Sequence, residues 1–272
     1  MRFLKRHVVF AIAAAVAALA IVGSAAAITN NNSNLSGSKF IPSKLPKITY
    51  KAGKLFVHTH TNYAHPGDKA HGGFAKTVTL LFDHDGRINP TGIPTCAGNF
   101  SSGTTLKQAW HTCGPGAGSS HNAYLSPATG ISGRASTAPP SNFNGCVLAF
   151  NGRKTSSGLP TIVLFTRVTL TPNGTANCTK LASNTSGNTS VTLKGTISNA
   201  GVAGFGKKLT VPHIDSAPLP LDDFTTAVKR GHYVSARCHD ADHTFRIRGK
   251  FVYSGSGQAP DTVNSTQKCT VS

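Results

Sequence analysis

His58-Thr59-His60 is the pair of side chains in this chain best placed to do chemistry. On a β-strand, residues two apart point to the same face, so the two imidazoles would stand side by side. His65 and His71 follow in a polar stretch that also carries Asp68. Two imidazoles on one strand face and a third from a loop form a donor set suited to copper or zinc. His58, His60, His65 and His71 are therefore the candidate metal ligands. The competing reading is an outward strand face whose histidines are simply solvated.

Other groupings are weaker. His239-Asp240-Ala241-Asp242-His243 follows Cys238 and reads as a hairpin tip. It becomes a site only if the tip folds against another histidine. Asp83-His84-Asp85-Gly86 reads as a tight turn. It lacks the glutamate that completes an EF-hand loop, and the chain contains no Glu at all. Asp222 and Asp223 are strand neighbours that face opposite ways, so they do not converge as a glycosidase pair would. The chain has no Gly-x-Ser-x-Gly elbow and no Ser-x-x-Lys followed by Lys-Thr-Gly. Gly201–Lys208 has the wrong spacing for a phosphate-binding loop. The expectation is a non-enzymatic protein without a cofactor, with a copper- or zinc-binding domain built on His58 and His60 as the alternative.

The elements that must position these residues are strands. Lys54–His60 and Phe74–Phe82 are the clearest, the second alternating Val78, Leu80 and Phe82 with Thr77, Thr79 and Leu81. Further strands are expected near 117–125, 144–151, 160–170, 189–198, 207–213, 222–230, 232–239, 243–253 and 262–271. Gly, Pro, Asn or Asp separates most of them. Thr104–Cys113 is the one convincing helix, capped by Thr104 and stopped at Gly114-Pro115. Many short strands and one helix predict an all-β fold, an antiparallel β-sandwich or jelly-roll-like barrel.

The first 27 residues read as a secretory signal peptide. Arg2, Lys5 and Arg6 precede an apolar run of 15 residues, Val8–Val22, and small residues end it at Ala27. That run is short of the ~20 residues a spanning helix needs, so no anchor is expected after cleavage. Residues 28–43, rich in Asn, Ser and Gly, read as a flexible linker, and 44–272 as one domain. The expected location is extracellular, with the cell envelope as one possible site.

Charge suggests a partner class. Three of the 27 basic residues lie in the leader, which leaves 24 against 9 acids, all Asp, and a net charge of +15. Such a surface attracts polyanions, for example anionic cell-wall polymers. The basic residues are scattered, no run of five occurs, and no nucleic-acid motif is present. The same charge also serves simply as a solubilising surface.

The cysteines are six: Cys96, Cys113, Cys146, Cys178, Cys238 and Cys269. An even count outside the cytoplasm reads as a disulfide framework. Six cysteines allow many connectivities. Sequential pairing is expected, because hairpins bring sequence neighbours together. A Cys96–Cys113 loop would then contribute roughly 3 kcal/mol through chain entropy.

Several stretches resemble a group of uncharacterised secreted β-sandwich proteins from actinobacteria. They are Phe74–Cys96, with its Asp-x-Asp-Gly turn and Gly92-Ile93-Pro94-Thr95-Cys96, the helix end Gln108–Cys113, and Tyr233–Cys238. Ile93 stands where the group has Leu. The resemblance implies the fold, a secreted location and the Cys96–Cys113 bridge, and it implies no activity. His-x-His on a strand also resembles copper–zinc superoxide dismutases, but the glycine-rich, arginine-bearing segment of that family is not recognisable here.

Overall fold

Thr244–Tyr253 shows why the chain becomes sheet. Phe245, Ile247, Phe251 and Tyr253 are buried, and Arg246, Arg248 and Lys250 alternate with them on the other face. Period-two burial of this kind lets one face seal a core while the other stays polar. A computed structural model describes residues 32–63, 74–126, 129–135, 141–169, 178, 181, 185, 187–216, 221–239, 244–254 and 258–272.

The strands are β1 (Asn32–Asn34), β2 (Lys39–Ile41), β3 (Lys44–Leu45), β4 (Lys51–Ala52), β5 (Lys54–Asn62), β6 (Ala75–Asp83) and β7 (Gly86–Ile88). After the helix α1 (Leu106–Cys113) come β8 (Thr129–Ala135), β9 (Ser141–Gly152), β10 (Thr161–Thr169), β11 (Thr189–Val202) and β12 (Phe205–Val211). The chain ends with β13 (Leu221–Val228), β14 (Val234–Ala236), β15 (Thr244–Tyr253), β16 (Asp261–Lys268) and β17 (Thr270–Val271). The fold is all-β and sandwich-like, with one short α-helix among the described residues. One long antiparallel sheet runs β1-β5-β13-β8-β9-β10-β11-β12-β6-β15-β16, and β2 adds to the same edge of β5 as β1. β4, β14 and β7 form a small second sheet, and β3 pairs in parallel with β17.

The two ends of the long sheet meet. β16 lies against β1 and β2 through side chains rather than a backbone ladder. The Gln267 amide takes the place of a strand: Phe40 N–H donates to its Oε1 at 2.7 Å, and its Nε2 donates to the Phe40 carbonyl at 2.8 Å. Ser265 donates to the Ser38 carbonyl, and Ser33 N–H donates to Asp261 Oδ2 at 3.0 Å. The Tyr253 hydroxyl donates to the same Asp261 oxygen at 2.6 Å and lies 2.6 Å from Ser33 Oγ. Closure turns one sheet face into an interior.

Two cores result. The inner one gathers inward residues such as Leu55, Val57, Leu80, Ile162, Leu164 and Phe251. The outer one lies where α1 covers the other face of β9 and β10, joining Leu106 and Ala109 to Leu148, Phe150, Val163 and Phe165. β10 is therefore buried on both sides. Three disulfides pair sequence neighbours: Cys96–Cys113, Cys146–Cys178 and Cys238–Cys269. Cys96 bridges Gly152 at the end of β9, so the first disulfide ties the last residue of α1 to a strand end. Bridges of this kind persist in oxidising compartments. Among the described residues, no helix is long and apolar enough to cross a membrane.

The structure corrects several expectations. The 28–43 stretch is not a linker from Asn32 onward. β1 and β2 pair with β5, and Leu35 and Phe40 are buried. The Phe40 ring stacks with Phe245 and lies against Gly53, where any Cβ would collide with it. The helix starts later than expected. Thr105 is its cap, taking Gln108 N–H on its hydroxyl while Gln108 Oε1 receives Thr105 N–H. Residues 117–125 hold no strand beyond a single bridge at Tyr124, and the 232–239 strand shrinks to Val234–Ala236. β8 was not expected at all.

Phe40 tests the corrected boundary. Phe40→Ala should cost about 3–5 kcal/mol in chemical denaturation, as for a buried aromatic. A loss near zero would return residues 28–43 to the status of a linker.

Candidate functional site

The inward side chains do not fill the sheet completely. A cavity of about 100 Å³ remains between β5, β6, β10, β11, β12, β13 and β15. Its walls are mainly Leu, Ile, Val and Phe, with Ala75, Thr59, Thr61, Thr226 and Tyr233 among the lining residues. Val57, Thr59 and Thr61 alternate with His58 and His60, so β5 sends its aliphatic and threonine side chains inward and its imidazoles outward. Tyr233 and Val234, just before and within β14, also line the space.

Tyr233 gives the cavity its chemistry. The side chain is 2% exposed, and its hydroxyl has no hydrogen-bond partner. Among the described residues, Asn151 Oδ1 is the other buried side-chain polar atom in that condition. Buried hydroxyls ordinarily find partners, and leaving one unmade costs about 1–3 kcal/mol. Burial pushes the Tyr233 pKa up, so the group is a neutral O–H donor at ordinary pH. A largely apolar cavity lined in part by a tyrosine with an unused donor suits a small apolar molecule bearing one acceptor atom.

The histidine pair lies on the opposite face of β5. His58 and His60 converge on Asp223 of the neighbouring strand β13, which pairs directly with His60. Asp223 Oδ1 lies 3.2 Å from His58 Nε2 and 2.9 Å from His60 Nδ1. The remaining nitrogens face Ser36 O at 2.9 Å and Asn62 Oδ1 at 3.0 Å. Ser38 completes the edge, its hydroxyl receiving His58 N–H and donating to the His58 carbonyl. Every ring nitrogen is thus engaged, and a metal ion would have to displace one of these bonds. His65 and His71 lie outside the described residues.

Burial tends to lower the His60 pKa, but the hydrogen bond that its ring donates to Asp223, helped by Asn62 and by the charges of Asp223 and Asp222, raises it overall. Burial tends to raise the Asp223 carboxyl, and the two histidines outweigh it, so its pKa falls.

A second histidine grouping is formed across the chain. The hairpin-tip segment does fold against another histidine, and that histidine is His84 of the turn between β6 and β7. The two rings are 6.5 Å apart and nearly perpendicular. Asp240, Asp242 and His243 lie outside the described residues.

The sequence pattern located the β5 pair but not Asp223, more than 160 positions away. It gives no role to Tyr233, which appears there only as the start of the Tyr233–Cys238 stretch. A tyrosine inside the apolar stretch Tyr233-Val-Ser-Ala236 was the available signal. No protein-family model, curated protein or solved structure matches this chain.

The imidazole–carboxylate cluster predicts a pH dependence. A raised His60 pKa stabilises the fold fully below the usual histidine value of 6.5, and that contribution is lost as pH rises through the folded-state value. A lowered Asp223 pKa stabilises above the usual 3.8 and is lost as pH falls through the folded-state value. Both contribute only between these limits. The Tm difference between wild type and His60→Gln should be largest near about pH 5 and shrink by about pH 8. A pH-independent difference would contradict this account.

Proposed function

We propose that this is an extracellular binding protein whose closed sheet holds a small, mainly apolar molecule through one hydrogen bond from Tyr233. The observation that carries the reading is Tyr233, which lines a largely apolar cavity and whose buried hydroxyl has no hydrogen-bond partner. Apolar cavities of about 150 Å³ stay dry and take up ring-sized guests, and this one is of that order. The three disulfides and the signal-peptide pattern of residues 1–27 support an address outside the cytoplasm.

The test uses a matched pair of probes, acetophenone and ethylbenzene, which differ in one carbonyl acceptor. Calorimetric titration of the secreted protein should show acetophenone binding more tightly, by about tenfold for one net hydrogen bond. Tyr233→Phe should abolish that preference. It should also leave the unliganded protein at least as stable, because an unsatisfied buried hydroxyl is removed. Equal affinity for both probes, or no binding of either, would refute the proposal.

A second reading rests on a separate observation, the distribution of basic residues. The outward rows of β12, β15 and β16 carry Lys208, Arg246, Arg248, Lys250 and Lys268. Their polar neighbours are Thr79, Thr210, Thr262, Asn264 and Thr266. The carboxylate on these rows, Asp83, is buried and receives Arg246 N–H at 3.1 Å. This side of the sheet is a cationic surface suited to an anionic wall polymer. Affinity for a teichoic-acid-type polyphosphate should fall steeply with added salt, because exposed charges are screened. Lys208→Glu with Lys250→Glu should weaken binding further. Salt-independent affinity would exclude the electrostatic reading.

A further inference from the structure

We infer that His84, Asp85 and His239 form a binding site for a divalent transition-metal ion, Zn²⁺ or Cu²⁺. The ligand atoms of these three residues all lie within 4.8 Å of one another. They come from two segments more than 150 positions apart, brought together by specific bonds rather than by chance exposure. Arg237 N–H donates to the Asp85 carbonyl at 3.0 Å, and Arg237 Nε donates to Asp85 Oδ1 at 2.8 Å. His239 N–H donates to Asp85 Oδ2 at 3.2 Å. Cys238, between them, is anchored by its disulfide to Cys269 and by its N–H to the Pro46 carbonyl.

The geometry assigns each group a role. Asp85 is 3% exposed and its carboxylate is held in place by Arg237 and the His239 amide, which leaves further lone pairs for a cation. His84 Nδ1 faces two acceptors, Asp83 Oδ1 and the Gly204 carbonyl, each at 3.4 Å. A proton on Nδ1 directed at these oxygens leaves Nε2 as the ligand atom, and Nε2 lies 3.8 Å from Asp85 Oδ1. A carboxylate behind the histidine that fixes its tautomer is the usual outer shell of a metal-bound imidazole. His239 is exposed, and His84 is partly so, so their rings can close the remaining distance to the ~2.0–2.1 Å that zinc requires. The solvent side keeps coordination positions for water. Two imidazoles and one carboxylate favour zinc or copper over calcium or magnesium, which take oxygen donors.

The site shares no residue with the interior cavity or the β5 pair, so its test stands apart from both. The secreted protein is stripped of metal and titrated with ZnCl₂ and with CuCl₂ by calorimetry, and Cu²⁺ loading is followed by electron paramagnetic resonance. One ion should bind per chain, and the copper spectrum should show hyperfine coupling to two nitrogens. His84→Ala and His239→Ala should each lower affinity by at least about tenfold. Both positions are exposed enough for the variants to fold, which near-ultraviolet circular dichroism checks; His239→Gln serves as the conservative second variant. The His58→Ala/His60→Ala double variant should bind like wild type. Absence of binding tighter than about 1 mM would overturn the assignment. So would retention of affinity in the His84 and His239 variants, or its loss only in the β5 double variant.

Discussion

Closure of the long sheet on itself is the constraint from which the rest of the structure follows. An open sheet of this length would leave two edges of unpaired N–H and C=O groups, a template for association with other chains. Here the β16 edge is satisfied by side chains. Gln267 reproduces both halves of a ladder step on Phe40, and Ser265, Asp261 and Tyr253 extend the seam toward Ser33. An enclosed inner face follows from that seam, and with it a place where Tyr233 can be buried. The outward rows then carry most of the polar surface of these strands.

Sequence reasoning reached the parts of this arrangement that local pattern encodes. Val78, Leu80 and Phe82 alternate clearly enough to give β6 and its face, and Thr59 between two histidines fixes which way each points. It failed where pairing is long-range. Leu35 and Phe40 are isolated apolar residues among Asn, Ser and Gly, so β1 and β2 have too little periodicity to be seen; they exist because β5 and β16 offer partners. β8, Thr-Gly-Ile-Ser-Gly-Arg-Ala, has the composition of a loop and is strand because β9 and β13 flank it. The cavity has no sequence signature, since nine strands from across the chain each supply only a few of its walls.

The same limit applied to the histidines. Asp223 joins the β5 pair only through the β5–β13 register, and His84 meets His239 only because Asp85 accepts hydrogen bonds from the 237–239 segment. In both cases the sequence displayed one half of a cluster and the topology supplied the other. Of the two disulfides of the outer core, Cys96–Cys113 ties the end of α1 to the segment that bridges the end of β9, and Cys146–Cys178 ties β9 to a residue between β10 and β11. The third, Cys238–Cys269, sits beside the inner core and fixes the segment that carries His239.

The seam also has a consequence in time. Ser33 depends on Asp261, Phe40 depends on Gln267, and Lys44 pairs with Thr270. The seam that includes β1 and β2 is therefore completed only when Asp261, Gln267 and Thr270 are in place, whereas the ladders from β9 to β12 join sequence neighbours. Contacts spanning over 200 positions also make its final step slow compared with folds built from local hairpins.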